Sequence, residues 1–486
     1  MKNKIFLLLL VFAFISNLHS CKSDDDHWSP SASVNDFVWK AMNSWYYWQS
    51  DVPNLADNRF GSEADYEQFL NGKQPDELFF GLLYDYGNTD RFSWIVNDYN
   101  QLQNEFAGQR LSYGMKYGLV YVSQNSNQIF GYVQYVLPNS PASSAGLKRG
   151  DIFTRINGIQ LNDSNYAELL GADSGVFGMG YIQDGQLYNS NDEISLFKIE
   201  MIENPVFFSS VIEQGGHKIG YLIYNAFRAN FNIELNNAVA ELKSQGITEL
   251  IIDLRYNGGG SVQTCSYLGS MITGQFEGQS FTQLTFNAKR ADYNSVYKFV
   301  NEGKSYDDEL NPIGSFGLSH LNLSKIYVLT LSGTASASEM LINSLKPYMS
   351  VTTIGQKTYG KTVGSVTLYD SPSTNYTSST DGVNPNHKWA MQPIVFDGKN
   401  SQYQPSPVMG FQPDIEISEI AYLENLPALG DLNEPLLGAA VNQIVSGGKS
   451  HTQPGLYSSG RMFKSSVELE RFGIEMYLEK GFEINP

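Results

Sequence analysis

The segment SGTASASEML, residues 332–341, sets Ser332, Ser336 and Ser338 among small residues and ends its polar part in Glu339. A serine hydroxyl becomes a nucleophile only beside a base that takes its proton. The same letters also spell a capping box. Ser336-x-x-Glu339 before an apolar run lets the hydroxyl cap a helix while the carboxylate reaches back. A base candidate follows in QKTYGKTVGS (356–365), which carries Lys357 and Lys361 among glycines. An ammonium is not a base, but burial depresses its pKa and favours the neutral amine. A serine–lysine pair is then chemically competent. Histidine is the rival base. His320 and His387 sit in polar loops able to approach, whereas His27 lies in a tether, His217 in a turn and His451 in a Gly/Ser-rich tail. A third segment, RYNGGGS (255–261), offers consecutive glycines whose N–H groups can turn toward an oxyanion. One such donor contributes about 2.7–4 kcal/mol to an acyl-transfer transition state; alone, the glycine run also reads as a plain turn.

What places these segments is a βαβ rhythm after residue 205. Strands are predicted at 220–227, 249–254, 325–331 and 350–355, and helices at 233–246, 261–272 and 336–346. The three chemical segments follow strand ends, where sites form in open α/β sheets. Residues 274–324 read as a polar, irregular insertion. Cys265 falls on the apolar side of its helix and is expected in the core. Upstream, the spacing Val34, Phe37, Val38, Ala41, Trp45, Trp48 predicts an amphipathic helix. With further helices at 64–71 and 76–85, residues 34–112 form an aromatic-rich N-terminal helical domain.

The 486 residues carry a formal charge of −18 with no basic block, which excludes a nucleic-acid partner. They are 42% hydrophobic and 13% aromatic, as in globular proteins. Lys2 and Lys4 precede the apolar run 5–15, too short to span a bilayer and suited to a signal peptide. Leu18–Cys21 resembles a bacterial lipobox, so 1–21 is read as a lipoprotein signal peptide with Cys21 lipidated, and 22–33 as a tether. The acidic KSDDD that follows resembles the export tag of Gram-negative surface lipoproteins. The expectation is a lipid anchor at the cell envelope, on the outer membrane, facing either the cell surface or the periplasm; a secreted chain with an incidental Cys21 is the alternative. No His/Cys/Asp/Glu cluster has metal-ligand spacing, and no cofactor is expected.

Residues 117–170, with YGLV, SPASSAGLKRGD and INGIQL in that order, resemble a PDZ domain, assigned to 113–205. That resemblance implies capture of an extended C-terminal peptide as an added strand, its carboxylate held by the loop Tyr117, Gly118, Leu119, Val120. A β-domain that only packs is the alternative. DLRYNGGG (253–260), TASASE (334–339) and GQKTYGK (355–361) together resemble the C-terminal processing peptidases, serine peptidase family S41. DRFSW (90–94), GFQPDIEI (410–417) and DLNEPLLGAAV (431–441) match as well. The resemblance implies a multidomain α/β chain: a crotonase-like ββα peptidase core over 206–425, followed by a C-terminal helical segment and tail over 426–486. It implies Ser336 as nucleophile, Lys361 as general base, and backbone N–H groups of Gly259 and Ala337 as oxyanion donors. The chain departs from the family pattern twice. Gly258 replaces a proline, and Ser365 stands where a glutamine orients the lysine, which leaves open a bare dyad, a dyad aided by Ser365, or weak activity. The reading is a serine endopeptidase acting on protein or peptide substrates. A peptide-binding pseudo-peptidase and a surface nutrient- or glycan-binding lipoprotein are its rivals.

Overall fold

The apolar stripe that begins at Val34 folds as α1 (Pro30–Trp45), burying Phe37, Val38, Ala41, Met42 and Trp45. Ser62 caps α2 (Glu63–Leu70) by accepting the Asp65 N–H, and a proline at the first position starts α3 (Pro75–Gly81). These helices share one apolar cluster with Phe286, Val395 and Phe396 of the α/β core. The computed structural model describes residues 30–447, 457, 460–470 and 472–479. The expected signal peptide over 1–21, with Cys21, and His27 and His451 lie outside the described residues.

The PDZ-like region contains β1 (Met115–Tyr121), β2 (Ile129–Val136), β3 (Ile152–Ile156), β4 (Ser174–Gln183) and β5 (Gln186–Phe197). Its core gathers Leu119, Val133, Phe153, Ile156 and Phe177 from facing sides of these strands.

Next come β6 (Val206–Gln214), β7 (His217–Tyr224), α4 (Asn232–Ser244), β8 (Glu249–Asp253), β9 (Gly259–Ser261) and α5 (Val262–Thr273). The segment expected as an irregular insertion instead holds β10 (Ser280–Phe286), β11 (Ser295–Lys298) and a hairpin of Glu302–Tyr306 with Pro312–Gly317. Alternation of Phe281, Leu284 and Phe286 into the core explains the strand. The core closes with β12 (Lys325–Thr330), α6 (Ala337–Leu345), β13 (Ser350–Gly355), β14 (Val363–Ser365), β15 (Ile394–Asn400), β16 (Ile415–Glu416) and α7 (Pro435–Ser446). Beyond the expected C-terminal helix the chain adds β17 (Arg461–Ser465), α8 (Ser466–Leu469) and β18 (Glu475–Tyr477).

One six-stranded sheet runs β6-β7-β8-β12-β13-β16, parallel except at β6. α4, α5 and α6 pack on one face, and α7 covers the other with Leu436, Leu437, Ala440 and Val441. A second sheet runs β9-β18-β14-β15-β10-β11. The PDZ sheet runs β17-β1-β2-β3-β4-β5, with one further short strand on β3. C-terminal strands therefore enter both the PDZ sheet and the sheet carrying the glycine loop.

Candidate active site

Because β8, β12 and β13 are parallel neighbours, the loops leaving their carboxyl ends converge. Asn257 ties the glycine loop down: its Nδ2 donates to Tyr224 O (2.8 Å) and its Oδ1 accepts from Gly259 N–H (2.8 Å). The Asn257 carbonyl accepts from Ala335 N–H and from the Ser338 hydroxyl, both at 3.1 Å, which joins this loop to the serine loop. The Thr334 hydroxyl donates to Leu254 O (2.8 Å), and the Thr334 carbonyl accepts from Tyr359 N–H (2.9 Å). Thr334 and Ser338 are thus fasteners between loops.

Ser336 is fully buried at the N-terminus of α6 with φ 63° and ψ −115°, a conformation that costs a non-glycine residue about 1–3 kcal/mol. A Cβ on Gly259 (φ +109°) would lie 2.7 Å from Ser336 Cβ and 2.9 Å from Ala337 N, so only glycine fits there. The Ser336 Oγ has no hydrogen-bond partner. Of the capping box, the Glu339 arm is formed: Oε2 accepts from Ser336 N–H at 2.9 Å.

Glu339 does more than start a helix. Its Oε2 also accepts from Lys361 N–H (2.9 Å), while Oε1 accepts from the Thr358 hydroxyl (2.6 Å) and Gly360 N–H (2.9 Å). Burial pushes this carboxyl's pKa up, and its four donors pull it back down. One buried carboxylate therefore fixes the nucleophile loop and the lysine loop to each other. The sequence signal was the pairing of SASE with T-x-G-K; capping alone hid it.

Lys361 is 1% exposed. Burial lowers its pKa, while Glu475 and Asp90 push it back up. Its Nζ donates to Ile474 O (2.9 Å), stands 3.7 Å from Glu475 Oε2, and lies 4.9 Å from the centre of the Phe92 ring. It makes no hydrogen bond to Ser336. DRFSW, read only as a matching motif, builds this wall of the site. Asp90 accepts from the Tyr46 and Ser93 hydroxyls, Arg91 donates to Gly360 O (3.3 Å), and Trp94 Nε1 donates to Glu475 Oε1 (3.0 Å).

Three candidate roles meet a different geometry. The Ser365 hydroxyl makes no hydrogen bond to Lys361; it donates to Gln392 Oε1 (2.7 Å) and lies 3.3 Å from Met476 O. The Gly259 N–H, expected as an oxyanion donor, donates to Asn257 Oδ1, and the Ala337 N–H lies at the first position of α6, where no intrahelical acceptor exists. Tyr117, Gly118, Leu119 and Val120 are strand residues of β1, not a loop, and Tyr117 N–H donates to Ser466 Oγ (3.1 Å). Cys265 is buried on α5 and its Sγ donates to Ala337 O (3.2 Å). The described histidines partner elsewhere: His217 with Glu249, His320 with Ser270 O, and His387 with Asp370. Among the described residues no three His, Cys, Asp or Glu side chains are grouped to hold a metal.

Beneath the glycine loop, fully buried Arg255 pairs with Asp253 (Nε–Oδ1 2.9 Å) and Glu434 (Nη1–Oε1 2.5 Å). Arg149 of the PDZ region joins them through Glu419 at 2.6 Å. Burial pushes the Glu419 carboxyl up, but the two guanidiniums outweigh it and hold the pKa at about 2.

The sequence pattern of peptidase family S41 matches residues 218–416, that of the S41 N-terminal domain 33–94, and that of a PDZ domain 132–175. The chain belongs to peptidase family S41. It is similar to a carboxyl-terminal-processing protease of Picosynechococcus sp. (25% identical, covering 46% of this chain and 49% of that protein). It is also similar to the carboxy-terminal processing protease CtpB of Bacillus subtilis (25%, covering 63% and 57%). The chain thus spans about half the length of these relatives. A crystal structure of a Bacteroides fragilis protein classed with the S41 proteases aligns at TM-score 0.64 and 27% identity, over 85% of this chain and 97% of that one.

Proposed function

We propose that the chain is a serine endopeptidase in which Ser336 attacks a peptide carbonyl and Lys361, as the neutral amine, takes the hydroxyl proton. The protonated amine then passes that proton to the leaving amine, and water hydrolyses the acyl-enzyme. The observation that carries the reading is the buried, unpartnered Ser336 Oγ at a strained helix N-terminus, tied through Glu339 to the loop of a buried lysine. The Ala337 N–H and the α6 N-terminus favour the negative charge that develops. In this reading the substrate is a protein or peptide captured as a strand on the PDZ sheet, and Cys21 anchors the enzyme by lipid at the outer membrane of a Gram-negative cell.

The test is peptide cleavage by a chain beginning after Cys21, compared with Ser336→Ala and Lys361→Ala. Wild-type cleavage by either variant sinks the dyad. The absence of a Ser336–Lys361 hydrogen bond favours a second reading, a peptide-binding pseudo-peptidase. A fluorophosphonate probe separates the two, since a binder leaves Ser336 unlabelled under every condition. Cleavage between cell-surface and periplasmic fractions, with radiolabelled palmitate on wild type and Cys21→Ala, tests the anchor.

A further inference from the structure

We propose that residues 461–470 and 472–479 act together as an intramolecular pseudosubstrate, filling the peptide-strand position of the PDZ sheet and the strand position beside Ser336. In doing so they hold the dyad apart until an extended peptide displaces them. The inference rests on the peptidase reading above.

Three observations carry it. First, β17 pairs antiparallel with β1 (Arg461 opposite Tyr121, Ser465 opposite Gly118), so the PDZ edge expected to take a peptide strand is taken by the chain itself. Second, β18 lies in parallel between β9 and β14, with Gly259 opposite Glu475 and Ser365 opposite Tyr477. Without the tail, β9 and β14 are two facing edges separated by one strand's width, directly beside the nucleophile; this is a slot for an extended peptide. Third, the tail takes the base. Ile474 O accepts from Lys361 Nζ, which leaves Ser336 Oγ unpartnered and Glu475 Oε2 buried with no hydrogen bond. An unpaired buried hydroxyl is unfavourable, and that of Ser336 goes with the tail's hold on the Lys361 amine.

A departure in the sequence fits the same account. A Cβ on Gly258 would lie 1.7 Å from Gly473 O and 2.8 Å from Val467 Cγ1. The residue that replaces the expected proline is the one that makes room for the tail. The seat is built away from the dyad as well: Glu470 pairs with Arg110 and, at 2.5 Å, with Lys116, two cations that also face Glu203. The ring of Phe472 lies 4.2 Å from that of Trp94, and Tyr477 stacks on Phe106 at 4.4 Å.

The experiment compares the full chain with Glu470→Gln, which loosens the anchor, and with Gly258→Pro, which fills the tail's path. Two readouts are followed: fluorophosphonate labelling of Ser336 and hydrogen exchange of the 475–477 amides. The expected result is at least tenfold faster labelling in both variants and faster exchange at 475–477, with the labelling slowed again by an added synthetic peptide of residues 461–479. Wild-type labelling as fast as in a variant whose tail amides have lost protection overturns the block. Unchanged protection in both folded variants, with unchanged labelling, overturns the tail's reversibility. Lost protection with no labelling in any chain removes the peptidase reading itself, and the tail is then a structural strand. Should neither variant fold, exchange at 475–477 in wild type with and without a tenfold excess of the synthetic peptide decides: accelerated exchange supports displacement and unchanged exchange contradicts it.

Discussion

The two halves of the site are in opposite conditions. On the Ser336 side the loop is fastened at three points: Ala335 N–H to Asn257 O, Ser336 N–H to Glu339 Oε2, and the Thr334 hydroxyl to Leu254 O. On the base side, the backbone of Lys361 is equally fastened to Glu339, but its amine is bonded to the C-terminal segment. The difference teaches that the fold sets loop positions rigidly and leaves the last proton-transfer contact to whatever strand lies between β9 and β14.

Removing either reacting group breaks both halves at once. Ser336→Ala and Lys361→Ala are each expected to lower kcat/KM for peptide cleavage by 10³-fold or more, with the fold intact by circular dichroism. Glu339→Gln attacks what the halves share. An amide NH₂ placed among four donors leaves buried groups unpaired, so unfolding free energy should fall by about 3 kcal/mol in urea titrations. Cleavage should fall about 10²-fold with KM little changed, because the loops lose register and not substrate.

Acid separates the site from the network below it. Glu419 has a pKa of about 2 against an ordinary 4.5. Its stabilisation is therefore present above about pH 4.5 and lost as pH falls through about 2, a change on the order of 3 kcal/mol read from urea midpoints. Glu419→Gln should flatten that dependence. The lysine behaves in the opposite sense. Since burial lowers its pKa, the labelling rate of Ser336 should climb with pH along a curve centred below the ordinary lysine value. The smallest effect belongs to Ser365→Ala. Its hydroxyl serves Gln392, so cleavage should change less than about threefold, with about 1 kcal/mol of stability lost.

Much of this was legible in the sequence, for reasons that also explain the rest. The strands at β7, β8, β12 and β13 carry dense apolar runs and their helices carry 3.6-residue stripes, so local pattern sufficed. Convergence of SASE, NGGG and TYGK followed from strand-end placement. The tail was not legible. RMFKS and EMY are short and only partly alternating, and become strands because two distant edges receive them. β10 escaped for the same reason, pairing with β15 across more than a hundred residues of sequence. The role of Ser365 stayed open because spacing along a chain does not reveal that its hydroxyl faces Gln392. Glu339 was undervalued because a capping residue and a bridge between two loops are the same letter at the same position.

The most direct test of the central claim is intact-mass and peptide mapping of the Glu470→Gln chain after fluorophosphonate treatment, with and without Lys361→Ala. The account predicts a single adduct on Ser336 whose formation slows at least 10³-fold when the lysine is removed. An adduct on another serine, or an Ser336 adduct forming at the same rate without Lys361, contradicts it.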